Sequence, residues 1–167
     1  MGCLGVLFSL DSPTVEKLKS FRTDEDRLDF LQMDIEEIYM EEHPLWTCEL
    51  DKAWDAIHRT LTNGKLEWEG GKYPLNHFIL GGESLYSEPD YIMSLKTPEQ
   101  VTEIAQSFAT VTKEDFRQKY FAIDPKAYGL IPNEEDFDYT WNWFAESEEF
   151  WKTASKEKRF VLFTADQ

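Results

Sequence analysis

Glu49-Leu50-Asp51-Lys52-Ala53-Trp54-Asp55-Ala56-Ile57-His58-Arg59-Thr60-Leu61-Thr62-Asn63-Gly64 is the stretch from which the rest of the chain can be read. Leu50, Trp54, Ile57 and Leu61 recur at helical spacing, and Asn63-Gly64 follows, a pair suited to the left-handed position past a last helical turn. The spacing predicts one helix over roughly 49 to 62. At about 100° per residue, Asp51, Asp55 and His58 would share a polar stripe beside the apolar one. Carboxylates and an imidazole on one face form a reasonable ligand set, so this stripe is the first candidate site. Its bland reading is equally concrete: Asp51 as a cap, and His58 as a half-buried ring hydrogen-bonded to a carboxylate.

Outward from the stretch, Phe78-Ile79-Leu80 reads as buried and Gly81-Gly82 as a hinge, with Ser84 capping the turn that follows. Lys65 to Glu69 alternates as a short strand would, or as an extended link with Trp68 turned inward. Tyr91 to Leu95 predicts a strand, and Thr97, Pro98 and Gln100 predict a capping box that opens a helix. Thr112 to Asp115 opens another helix, and Asn133 opens a long one to about Ser155. In that last helix Phe137, Trp141, Phe144 and Trp151 form one aromatic stripe; Tyr139, Trp143 and Phe150 form a second, read as core or as a ligand slot using Tyr139 and Trp143. Phe160 to Phe163 is apolar throughout, which predicts a central closing strand.

Toward the other end, Cys3 to Leu10 predicts a buried first strand. Ser12-Pro13 supplies N-cap and first-turn chemistry for a short helix to about Phe21, and Thr23 caps a second. In that second helix Leu28, Leu31, Ile35 and Ile38 mark the buried face. From Asp34 to Asp51 there are seven acids and no Lys or Arg, and Pro44 breaks the helix. These elements imply an α+β fold: a small sheet that includes the N- and C-terminal strands, packed with several helices in one domain over residues 1–167.

Asp51-Lys52-x-Trp54-Asp55-x-x-His58-x-x-Leu61-Thr62, then Pro74-Leu75 and Ile79-Leu80-Gly81-Gly82-Glu83-Ser84-Leu85, resembles the YfbM-like family of small bacterial cytosolic proteins, the domain of unknown function numbered 1877. The likeness extends to an N-terminal apolar strand near Met1-Gly2-Cys3-Leu4-Gly5 and to a C-terminal strand. The resemblance implies an α+β single domain. It carries no catalytic residues over.

Bulk composition narrows the function classes. With 33 acidic against 17 basic residues and a net charge of −16, phosphate backbones and anionic lipid are poor partners. A basic protein is the complementary one. Cys3 and Cys48 form no Cys-x-x-Cys pair, which excludes a disulfide framework or zinc ribbon and points to a reducing cytoplasm. No apolar run approaches the ~20 residues of a membrane helix. Met1-Gly2 opens like a myristoylation signal, but Val6 stands where Ser or Thr is required, so lipidation is not expected.

Reaction motifs are incomplete. Gly82-Glu83-Ser84-Leu85-Tyr86 is half of a nucleophile elbow, with Tyr86 in place of the second Gly. Gly64-Lys65 and Gly71-Lys72 lack the other residues of a phosphate loop, and Glu83 beside Gly81-Gly82 would repel an anion. No catalytic residue, metal or cofactor is assigned. The sequence thus favours a non-enzymatic acidic binding protein that meets a basic partner, of which an immunity-type role is one version. The alternative is a small-molecule enzyme or sensor, its pocket between the Asp51–His58 helix and the Gly81-Gly82 hinge. The candidate binding residues are Asp51, Trp54, Asp55, His58, Gly81, Gly82, Glu83, Ser84, Tyr139 and Trp143.

Overall fold

The computed structural model describes residues 3–167, so the reading of Met1-Gly2 lies outside the described residues. Five antiparallel strands form one sheet in the order β2-β1-β5-β4-β3: β1 Gly5–Leu10, β2 Thr47–Asp51, β3 Glu83–Ser84, β4 Tyr91–Lys96 and β5 Phe160–Asp166. The two terminal strands pair with each other along their length, from Gly5 opposite Ala165 to Leu10 opposite Phe160. Helices cover both faces, which is why Val6-Leu7-Phe8 and Val161-Leu162-Phe163 are apolar without alternation.

On one face, Leu7, Val161, Phe163 and Ala165 pack beneath α4 (Trp54–Leu61), α5 (Pro98–Ser107), α6 (Lys113–Phe121), α8 (Glu134–Glu146) and α9 (Glu148–Lys156), with the short α7 (Pro125–Tyr128) alongside. On the other, Val6, Phe8, Leu10, Met93, Leu95 and Leu162 pack against α1 (Ser12–Ser20), α2 (Asp24–Phe30), a π-helical turn (Leu31–Glu36) and α3 (Glu37–Glu42). Gly5 lets β1 run close under α4, since a Cβ there would lie 2.7 Å from the Trp54 ring. Trp54 in turn donates its indole N–H to the Cys3 carbonyl at 2.7 Å.

The capping chemistry acts largely as the residues predict. Thr97 and Gln100 make a reciprocal box, Thr23 accepts from the Asp26 N–H and Thr112 from the Asp115 N–H. At α1 the cap is Asp11, which accepts from the Thr14 N–H at 2.9 Å, with Ser12 already inside the helix.

Three differences from the expected elements bear on function. The helix read over 49 to 62 starts only at Trp54, and Thr47–Asp51 is strand β2, paired to β1. Leu50 fits the apolar period of either element, and pairing to β1 decides between them. Asp51 ends the strand at φ 50, a left-handed position that Asp tolerates better than most side chains. Lys65 to Glu69, by contrast, takes the second of its two expected forms, a link with Trp68 packed partly on the core. The long helix from Asn133 is two helices that meet at Ser147, whose hydroxyl donates to the Phe144 carbonyl at 2.6 Å. Finally, the π-helical turn widens the coil by a residue, so that Tyr39 is buried behind Leu31 and Ile35 while Ile38 is 39% exposed.

Candidate functional site

The ends of four strands and one helix turn enclose a cleft of about 570 Å³. Its floor is the sheet: Gly5 and Val6 of β1, Thr164 and Asp166 of β5, Tyr91 of β4, and Glu49 and Asp51 of β2. Gln32 and Glu36 of the π-helical turn and Met40 of α3 form one wall; Leu4 and Trp143 of α8 complete the lining. Sheet register explains the convergence. Tyr91 lies opposite Asp166, and Val6 opposite both Thr164 and Glu49, while Gly5 pairs with Asp51. A bulge between Gly5 and Val6 leaves an extra residue on β2 and redirects its last side chains.

Four carboxylates line the cleft and, among the described residues, no Lys, Arg or His does. None of the four enters an ion pair among the described residues. Burial, and the nearby Asp166 charge, raise the Glu36 carboxyl above its ordinary range. Burial raises the Tyr91 phenol as well, and the Glu36 charge adds to it. Asp51 is held by Tyr139, whose phenol donates to Asp51 Oδ2 at 2.7 Å and accepts from the Lys52 N–H at 3.1 Å. The Tyr139 phenol is pushed up to about 12, by burial first and by that carboxylate second. Among the described residues no three His, Cys, Asp or Glu side chains group as a metal-ligand set. Spread acids between two aromatic walls are chemistry for an extended organic cation, held by charge, hydrogen bonds and ring faces.

The ten residues singled out by sequence separate into three places. Asp51 and Trp143 line the cleft, and Tyr139 holds Asp51 in it. Trp54, Asp55 and His58 belong to α4: Trp54 is buried against Phe163, and Asp55 is paired with Arg59 at 2.6 Å. His58 is 1% exposed, and its Nε2–H donates to the Glu67 carbonyl at 2.7 Å while Nδ1 has no partner. The shared polar stripe therefore does not exist, because Asp51 stands on a strand and not on this helix.

Gly81, Gly82, Glu83 and Ser84 lie at the opposite edge of the sheet from Asp51, four strand spacings or about 19 Å away. Asp51 and Ser84 line separate clefts. The hinge there is clamped. Lys96, fully buried, donates to the carbonyls of Ile79 and, at 3.3 Å, Ser94, and to Ser94 Oγ at 2.6 Å; Ser94 Oγ donates to the Gly81 carbonyl at 2.5 Å. Burial holds the Lys96 amine well below the usual lysine range. Gly82, at φ 68, sits where a Cβ would run into the Leu95 carbonyl. Glu83 pairs with Lys19 at 2.8 Å, and the Ser84 hydroxyl donates to the Tyr86 carbonyl at 3.0 Å, so it is not poised as a nucleophile.

Glu36, Tyr91, Thr164 and Asp166 were not separable in the sequence from other residues of their type. Glu36 belongs to the acidic stretch from Asp34, but only the π-helical turn brings it over the sheet end.

Comparison with known proteins places the chain without assigning chemistry. Residues 1–164 match the sequence model of a family described as a domain of unknown function, DUF1877. A solved structure described as a protein of unknown function, YfbM from Escherichia coli, superposes over 97% of this chain and 99% of that one. Its TM-score is 0.64 at 19% identity, a likeness of fold. No curated protein matches. No helix among the described residues is long and apolar enough to cross a membrane.

Proposed function

The chain belongs to the DUF1877 family, and from that premise we propose that it works by binding, its cleft receiving a cationic side chain of a basic protein partner. The observation that carries this reading is the set of four carboxylates, Glu36, Glu49, Asp51 and Asp166, lining one cleft to which the described residues contribute no Lys, Arg or His. Glu36 already resists ionisation, through burial first and the nearby Asp166 charge second. A guanidinium or ammonium group entering there relieves that repulsion and gains charge-assisted hydrogen bonds, each worth roughly 1.5–3 kcal/mol. Tyr91 and Trp143 supply ring faces for the same group. The protein's net charge of −16 favours encounter with a basic surface before any contact forms. An immunity-type protein that covers a basic toxin is one role with these requirements.

A second reading, a free organic cation as ligand, is favoured by size alone: about 570 Å³ falls within the span of small-molecule pockets. Titration with the amides of N-acetylarginine and N-acetyllysine, followed at the Trp143 indole N–H by NMR, tests the shared chemistry. Saturable shifts are expected, weakened at least tenfold in the Glu36→Gln, Asp166→Asn double variant. If neither amide moves the Trp143 signal, or the double variant binds as well as the parent, the proposal is wrong. A basic protein that binds at least tenfold more tightly than either amide favours the first reading; amides that bind as tightly as any basic protein favour the second.

A further inference from the structure

The cleft opens onto a second, shallower depression lined by Gln32, Glu36, Glu37, Met40 and Glu41, and the two share Gln32, Glu36 and Met40. This groove lies over Gln32 to Glu41, in the second half of the continuous coil from Asp24 to Glu42, which is about 27 Å long at roughly 1.5 Å per residue. That coil carries nine acids and a single basic residue, Arg27. Arg27 is turned inward, donating to the carbonyls of Phe21, Leu85 and Lys19. Its apolar residues are not all inside: Met33 is 65% exposed and Met40 36%, while Leu4 at the cleft is 51% exposed.

We infer that the partner segment is a cationic amphipathic helix that lies along this coil, with its apolar side on Met40 and Leu4 and one basic side chain in the cleft. The inference rests on the proposed cation site and extends it to the whole face. Three features select this occupant. The unneutralised charge is spread along a rod, which a basic helix of similar length matches and a single bound ion does not. The exposed side chains at the groove are a Met and a Leu, and unbranched thioethers adapt to varied apolar knobs. An extended strand meets obstacles at the nearest sheet edge. That edge, β2, is flanked by α8, and Tyr139 occupies the Lys52 N–H at its end.

The test uses the full chain and two synthetic peptides of about 18 residues, the length that spans this face at 1.5 Å per residue. They share one Lys-, Arg- and Leu-rich composition; one is arranged as an amphipathic helix and the other is scrambled. Binding is read by calorimetry and by NMR, with N-acetylarginine amide as the small-cation control. The amphipathic peptide is expected to bind at least tenfold more tightly than the scrambled one. Glu37→Lys with Glu41→Lys, outside the cleft, should remove that tenfold while the arginine amide still shifts Trp143 as in the parent. Equal affinity for the two peptides, with the arginine amide still bound, overturns the helix and leaves the cleft reading standing. Failure of both peptides and of the amide overturns both.

Discussion

The cleft at the sheet end and the interior around Lys96 both hold titratable groups moved from their usual ranges, yet they differ in every other respect. In the cleft Glu36 is raised by burial and by Asp166, open to solvent and with no Lys, Arg or His among the described lining residues. In the interior Lys96 and His58 are lowered by burial, and their hydrogen bonds are spent on backbone carbonyls of the segments that pack over them. A shifted pKa marks desolvation in both places. Only the cleft combines it with access, so only the cleft can answer to something outside the molecule.

The sharpest way to break this comparison is Lys96→Met. If the amine is a clamp, its loss leaves the Ile79 carbonyl without its donor and takes one donor from Ser94 Oγ, and unfolding by urea should show a loss of about 2 kcal/mol. Unchanged stability would mean that the interior amine holds nothing in place.

The pH dependence comes next, because the two regions have opposite signs. His58 faces Lys96 from β4 and Asp55 and Arg59 on its own helix, and its pKa lies below 6.5. Its contribution is complete above pH 6.5 and is lost as the pH falls through the lowered value, by at most about 1.4 kcal/mol per pH unit. His58→Gln should flatten that part of the stability profile between pH 7 and pH 5 relative to the parent, as measured by denaturant unfolding at each pH. An unaltered slope would remove His58 from the account.

The smallest effect is Glu36→Gln. A carboxyl with a raised folded pKa stabilises the fold below its ordinary value of 4.5, and that stabilisation is lost as the pH rises through the folded value. Glutamine should therefore stabilise the ligand-free protein at pH 7 by on the order of 0.5 kcal/mol, a gain that vanishes toward pH 4. A destabilised variant at pH 7 would show that Glu36 is held by a partner inside the protein and is not free for one outside.

Much of the fold was legible in particular residues. Thr97, Pro98 and Gln100 announce α5, because a capping box satisfies its own backbone within four residues. The unbroken apolar runs at Val6–Phe8 and Val161–Phe163 signal strands covered on both faces. Thr47–Asp51 was not legible as a strand. Leu50 satisfies both periods, and nothing local records that β1 waits to pair with this stretch. The π-helical turn is likewise silent in the sequence, since it follows from how Leu31, Ile35 and Tyr39 seat on Phe8 and Leu162 and not from a residue preference.

The candidate site divides in the same way. Asp51, Tyr139 and Trp143 were recognised as residues, but as parts of other arrangements: a helix stripe and an aromatic slot. Their partners Glu36, Tyr91 and Asp166 come from segments separated by tens of residues, and strand register alone brings Tyr91 opposite Asp166.

The amino-acid order by itself determined the acidic character, the α+β class with a strand near each end of the chain, and most helix starts, because these depend on composition, periodicity and capping within a few residues. The tertiary structure alone decided that Asp51 belongs to a strand, that the Gly81-Gly82 hinge is clamped shut by Lys96, and that four carboxylates share a cleft. Those depend on which distant segments pack together, and the free energy that selects the pairing is collected over the whole core.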